Sequence, residues 1–199
     1  MLFIIDMQNS YIDKDKGERY IKDSEKMVDG IIDKIKKTEE KGEYIFHTVD
    51  IPIEKNNFKG ENSEQNLIND IESIEIQEMK SDKEEKWSCE PYKLLKSYLD
   101  KHEKVKKSYY AIPPETLFEI QRRFKEQNHI IEEIEFVGIE THICVLANAI
   151  CLQSAFPQAN IVIHESLCMS KNEKDHKRAL KIMEALGMEI RREKDEIIK

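Results

Sequence analysis

Three side chains able to do covalent chemistry stand where apolar or β-rich runs end. Asp6 follows "LFII", Lys107 closes "EKVKK", and Cys144 lies inside "GIETHICVLANAI". A thiol is a poor nucleophile until it loses its proton. Lys107 beside it would favour the thiolate, and so would the positive end of a helix opening at the cysteine. Asp6 could take the thiol proton and later return it to a leaving amine. Backbone N–H groups in the turn before Cys144 could bind a developing oxyanion. Such a set describes acyl transfer from a carbonyl compound, most simply amide hydrolysis. Each residue also has a plainer reading. A cysteine in "ICVLANAICL" can be a core residue, Asp6 a turn residue and Lys107 a solvated cation in a lysine-rich chain.

Bringing these residues together needs a frame. Residues 2–6 read as a first strand. Helical periodicity over 20–41, with Ile21, Met27, Val28, Ile31, Ile32 and Ile35 apolar, is stopped by Gly42. Residues 43–49 read as a strand ending at Asp50. Residues 91–100 read as a helix with Pro91 in its first turn, and "EKVKKSYY" as a short strand. "PPETLFEIQRRFKEQ" is a helix with acid early and base late. "HIIEEIEFVG" is a strand, 141–156 a helix, "NIVIHES" a strand, 173–186 a helix ended by Gly187, and "MEIR" a last strand. The alternation predicts right-handed βαβ units, a mostly parallel sheet and helices on both faces. In such sheets the site lies beyond the carboxyl ends of the strands, near the switch point. Asp6, Asp50, the pair Lys106–Lys107 and the turn before Cys144 all fall there.

The chain has 199 residues and a formal net charge of −8. That length suits one domain over 1–199, with 51–90 a long, weakly patterned excursion over the site. The acidic balance argues against nucleic acid and anionic membrane as partners. No apolar stretch approaches the ~18 residues of a spanning helix, and "MLFIIDM" reads as a strand rather than a secretory leader. The four cysteines, Cys89, Cys144, Cys151 and Cys168, form no CxxC pair and no zinc spacing. Free thiols and a cytoplasmic location are the expectation.

Three segments together resemble the isochorismatase-like cysteine hydrolases. "LFIIDMQNSYID" is similar to that family's opening strand, "KKSYYAIPPETL" to its lysine segment and "VGIETHICVLANAI" to its nucleophile turn; "HESLCMSKNEKDHKRALKIMEALGMEI" resembles its last strand–helix–strand unit. The resemblance implies a three-layer α/β/α sandwich around a Rossmann-like six-stranded, mostly parallel sheet. It makes Asp6 the general base, Lys107 the activating cation and Cys144 the nucleophile. By the same likeness the Ile139–Glu140 peptide would be cis, and the N–H groups of Glu140 and Cys144 would form the oxyanion hole. The spacing from the lysine to Ala111 selects Lys107; a shift of one residue would select Lys106, which faces the other side of a regular strand.

The chain also departs from the family. Nicotinamidases carry a metal on an Asp-x-His segment, and here Pro52 follows Asp50 where the histidine would stand. No metal and no cofactor are expected, and neither is nicotinamidase activity. Retention of the cysteine favours a C–N bond over the vinyl ether of isochorismate. Tyr11, Asp50, Trp87, Tyr110 and His142 are the candidate pocket residues, with Phe46 and Tyr109 as further candidate walls; His47 reads as a core-edge histidine. The expected partner is a small-molecule substrate, and the resemblance implies a homo-oligomer. The alternative is a non-catalytic member of the same fold that binds a small metabolite or a partner protein. A dinucleotide-binding domain is disfavoured because no GxGxxG loop follows the first strand.

Overall fold

The computed structural model describes residues 1–51 and 86–192. The excursion expected at 51–90, including Pro52, falls largely outside them. Six strands form one sheet in the order β3-β2-β1-β4-β5-β6. They are β1 (Leu2–Ile5), β2 (Ile45–Asp50), β3 (Glu103–Lys107), β4 (Glu133–Ile139), β5 (Asn160–Met169) and β6 (Glu189–Arg191). All neighbouring strands pair in parallel. The helices are α1 (Asn9–Ile12), α2 (Val28–Glu40), α3 (Lys93–Leu99), α4 (Pro114–Glu126), α5 (Leu146–Ala155) and α6 (Glu173–Ala185).

Alternation along β1 divides the core into two layers, since successive strand side chains point to opposite faces. Leu2 and Ile4 pack with Ile31 and Ile35 of α2 and Leu95 and Leu99 of α3. Phe3 and Ile5 pack with Ile120 of α4, Leu152 of α5 and Leu180 of α6. Phe3 stacks on Phe46 at 4.9 Å and on Phe136 at 5.7 Å, an aromatic row across three strands. Each such pair contributes about 0.5–1.5 kcal/mol beyond burial. The fold is the expected three-layer α/β/α sandwich with a Rossmann-like sheet.

The chain builds β1, β2 and β3 on one side, then crosses to β4, β5 and β6 on the other. The seam between β1 and β4 is therefore the switch point, where a crevice forms beyond the strand ends. Gly138 lets the two strands close there. Its φ is +119°, and a Cβ would stand 2.2 Å from the Ile5 carbonyl oxygen. No other residue fits that approach.

Among the boundaries that differ from expectation, three are informative. The helix expected from residue 20 begins at Val28, because Asp23 adopts φ +68° and Ser24–Met27 form a 3-10 turn. Pro91 lies outside α3: it makes an isolated antiparallel bridge with Gln8, and the Tyr92 N–H donates to the Met7 carbonyl at 2.8 Å. That pairing braces the segment leaving Asp6. The helix expected at 141–156 opens with a π turn over Thr141–Val145, closed by Val145 N–H donating to Glu140 O at 3.1 Å. Such wide turns are frequent at functional sites. The Ile139–Glu140 peptide is cis, as the resemblance implies.

Candidate functional site

Asp6 leaves β1 in the left-handed region, at φ +50°, which asparagine and aspartate tolerate better than most residues. Thr48 of β2 fixes it twice. The Asp6 N–H donates to Thr48 Oγ1 at 3.0 Å, and the Thr48 hydroxyl donates to Asp6 Oδ1 at 2.6 Å. The carboxylate is buried at 1% exposure.

Lys107 comes from the end of β3, paired in register with Asp50. Val105 and Lys107 face inward while Lys106 is exposed, so the two-residue period selects Lys107. The ammonium is buried and lies 2.8 Å from Asp6 Oδ2 and 3.8 Å from Asp50 Oδ1. It donates to the Tyr109 carbonyl at 2.9 Å and to Cys144 Sγ at 3.5 Å. Its approach to Asp6 Oδ2 is an ion contact outside hydrogen-bond geometry, and that oxygen has no hydrogen-bond partner among the described residues. One Asp6 oxygen is thus capped and the other is left able to accept a proton.

Cys144 sits in the π turn beyond β4 at 8% exposure. Asn148, fully buried one turn later, donates to Cys144 O at 2.7 Å and Tyr110 O at 2.9 Å, and accepts from Ile112 N–H at 2.9 Å. These bonds tie the turn carrying Cys144 to the segment that follows Lys107.

The thiolate that Lys107 favours is opposed by its surroundings. Burial first, and then the Asp6 carboxylate, push the Cys144 thiol up; Lys107 opposes them without prevailing. Burial also raises Asp6 against the pull of Lys107 and Thr48. Burial works against the Lys107 ammonium, but Asp6, Cys144 and Asp50 outweigh it and hold the charge. A thiol, a carboxyl group and a fixed ammonium gathered in this way can pass a proton from sulfur when an electrophile arrives.

The remaining candidates divide. Tyr11 and Asp50 belong to the cluster: the Tyr11 hydroxyl donates to Asp50 Oδ2 at 3.0 Å. Gln8 holds the Asp50 backbone, donating to its carbonyl at 3.0 Å and accepting its N–H at 2.7 Å. Trp87 contributes its carbonyl, which accepts from Asn9 Nδ2 at 3.0 Å. Tyr110 likewise contributes its carbonyl, and its ring is 60% exposed. His142 bonds Ser170 Oγ at 2.9 Å, at the end of β5, rather than the thiol. Phe46 packs rather than walls the site: it is wholly buried in the aromatic row, at the second position of β2 and away from the strand's carboxyl end. Tyr109 is exposed and enters through its carbonyl. His47 is buried, with an Nε2 that lacks a hydrogen-bond partner among the described residues.

Thr48, Asn148 and Arg19 escaped sequence reasoning. Arg19 donates through Nη1 to Tyr11 Oη at 2.8 Å and Asp50 Oδ2 at 2.9 Å. An alternating strand ending "HTVD" carried the one signal for Thr48, since residues 46, 48 and 50 share one face and place Thr48 on the side of Asp50.

A family model described as the Isochorismatase domain matches residues 1–195. The chain belongs to that family. It is an isochorismatase-like hydrolase, with the sheet expected of one. Among solved structures it is similar to pyrazinamidase/nicotinamidase from Streptococcus mutans, with TM-score 0.72 and 22% identity over 96% of this chain and 98% of that one. The nicotinamidase PncA of Bacillus subtilis gives TM-score 0.69 and 21% identity, covering 95% and 97%. The pyrazinamidase of Pyrococcus horikoshii in complex with zinc gives 0.63 and 16%, covering 96% and 97%. No curated protein matches the chain in sequence.

A metal does not fit Asp50 here. Oδ2 is taken by Tyr11 and Arg19, and Oδ1 faces the Lys107 ammonium. Among the described residues no group of three or more His, Cys, Asp or Glu is placed to hold a metal ion, and none of their helices is long and apolar enough to cross a membrane.

Proposed function

We propose that the chain is a cysteine amidohydrolase acting on a small molecule through an Asp6–Lys107–Cys144 triad. The observation that carries the reading is the buried Lys107 ammonium, 2.8 Å from Asp6 Oδ2 and 3.5 Å from Cys144 Sγ. Substrate binding displaces water from the crevice. Sγ attacks the amide carbonyl carbon as its proton passes to Asp6 Oδ2. The N–H groups of Glu140 and Cys144 receive the oxyanion. Lys107 holds Asp6 and sulfur in register and offsets the negative charge that moves between them. The C–N bond breaks, Asp6 gives the proton to the departing amine, and a thioester remains on Cys144. Asp6 then takes a proton from water, whose oxygen attacks the thioester. The acid leaves and the proton returns to sulfur, so each turnover consumes one water.

The fold neighbours bear the names nicotinamidase and pyrazinamidase, which are names of amidases. The occupied Asp50 carboxylate directs this chain toward a substrate held without a metal. The reading extends to a single catalytic domain spanning 1–199 and to a cytoplasmic homo-oligomer.

The test is a screen of amides, carbamates and cyclic imides against wild type and Cys144→Ala, with hydroxylamine present to trap an acyl group. Turnover lost in Cys144→Ala is expected, and so is a hydroxamate released by wild type as hydroxylamine cleaves the thioester and frees the Cys144 thiol. Turnover that survives the substitution would overturn the triad. The second reading, a non-catalytic binder, would show ligand affinity without turnover.

A further inference from the structure

We propose that Arg19 anchors the substrate, and that this substrate is an amide bearing a carboxylate, bound by the outer edge of the Arg19 guanidinium. The inference rests on the amidase reading and names its substrate class.

The loop carrying Arg19 is closed by its main chain. Gly17 N–H donates to Asp13 O at 2.8 Å, Arg19 N–H to Ser10 O at 3.0 Å and Ile21 N–H to Tyr11 O at 2.9 Å. The side chain is not needed to fold that loop, yet it reaches the end of β2. Nη1 bonds Tyr11 Oη and Asp50 Oδ2, and the guanidinium lies over the Tyr11 ring, 5.5 Å from its centroid. Asp50 faces Lys107, which touches Cys144 Sγ. Arg19 is therefore a rim cation, one carboxylate removed from the catalytic lysine.

Two hydrogen bonds and a ring fix the planar group before a ligand arrives, which reduces the entropy lost on binding. Only Nη1 is engaged; Nε and Nη2 have no hydrogen-bond partner among the described residues, and the side chain is 60% exposed. These two N–H groups form the parallel edge that matches a carboxylate bidentately. Asp50 does not repel such a ligand, because its charge is countered by Arg19 on one oxygen and Lys107 on the other.

The probes are malonamate, succinamate and glutaramate, each paired with its uncharged diamide. Ammonia release by wild type and Arg19→Gln gives kcat/KM for both classes. Calorimetry on Cys144→Ala, with and without Arg19→Gln, gives binding without turnover. Wild type is expected to prefer an amic acid, and Arg19→Gln to lower the acid-to-diamide ratio by ~10-fold or more, chiefly in KM. Arg19→Lys should restore only part, since an ammonium lacks the fork. Equal losses for both classes would overturn the inference and leave Arg19 as a support for Asp50; so would the absence of Arg19-dependent binding of any amic acid. Amic acids that bind through Arg19 while no amide turns over would overturn the amidase reading and leave the anchor standing. Diamides turned over with no acid preference would do the reverse.

Discussion

Asp6 and Glu135 are both buried carboxylates held against a lysine in the same sheet, one at its carboxyl edge and one toward the other end. Oε2 of Glu135 is saturated. It accepts from Lys34, from His164 Nε2 at 2.6 Å and from Arg191 Nη1 at 3.2 Å. Burial alone would raise the Glu135 pKa, but these partners hold it down to about 2. Asp6 has one hydroxyl on Oδ1 and an ammonium that it shares with Asp50 and Cys144, and its pKa moves up instead. Burial raises both carboxyl groups, and at Glu135 the charged donors outweigh it while at Asp6 they do not. A carboxylate whose donors win stabilises the fold; one whose burial wins remains able to take a proton.

The largest effect should come from the undersatisfied cluster. Asp6→Asn should lower kcat by roughly 10²–10⁴-fold, while the thermal midpoint does not fall as it does in the saturated cluster. A raised carboxyl pKa means that the ionised form opposes folding, so removing the charge should cost little stability. An active Asp6→Asn enzyme would break the contrast.

Glu135→Ala should do the opposite. It strips a buried carboxylate from Lys34, His164 and Arg191, and should destabilise by about 3 kcal/mol in urea unfolding. Activity per folded molecule should stay near wild type. A loss of kcat with the fold intact would show that the two clusters are coupled.

Acid titration sharpens the comparison further. Burial pushes His47 down to about 4 from an ordinary 6.5. Its neutral form is favoured in the fold, so its contribution is present above pH 6.5 and lost as pH falls toward 4. That loss is on the order of 3 kcal/mol. Glu135 is depressed from 4.5, so its contribution is present above that value and lost as pH falls toward 2. Unfolding midpoints should therefore fall in two stages, and His47→Leu should flatten only the first. The smallest effect is expected at Lys106. Its exposed side chain should make Lys106→Ala neutral within about 0.5 kcal/mol and leave turnover intact, whereas Lys107→Ala should abolish turnover.

Much of this was legible before any coordinates. Strand ends announced Asp6 and Lys107, because an apolar or alternating run that stops at a charge marks the sheet edge. The period of two in "EKVKK" separates Lys107 from its neighbour. The turn around Cys144 carried enough specific residues to reveal its relationship to a family. The rest failed for physical reasons. Thr48 meets Asp6 across 42 residues of chain, and nothing local marks that partnership. Arg19 sits in a loop crowded with Lys, Asp and Glu, where one more cation carries no signal. Trp87, Tyr109 and Tyr110 contribute carbonyls, and a backbone group leaves no trace in the residue type. The balance at Cys144 also needed the fold, because burial and the Asp6 carboxylate oppose the lysine that the sequence suggests beside it.

The seam between β1 and β4 has a consequence for synthesis. Asp6, Asp50 and Lys107 all precede Cys144 and belong to one half of the sheet. A chain emerging from a ribosome can assemble its acid and ammonium first, and the sulfur reaches them only when Gly138 lets β4 close against β1. Cys144 is the last of the four to be delivered, so no shorter nascent piece holds the whole cluster.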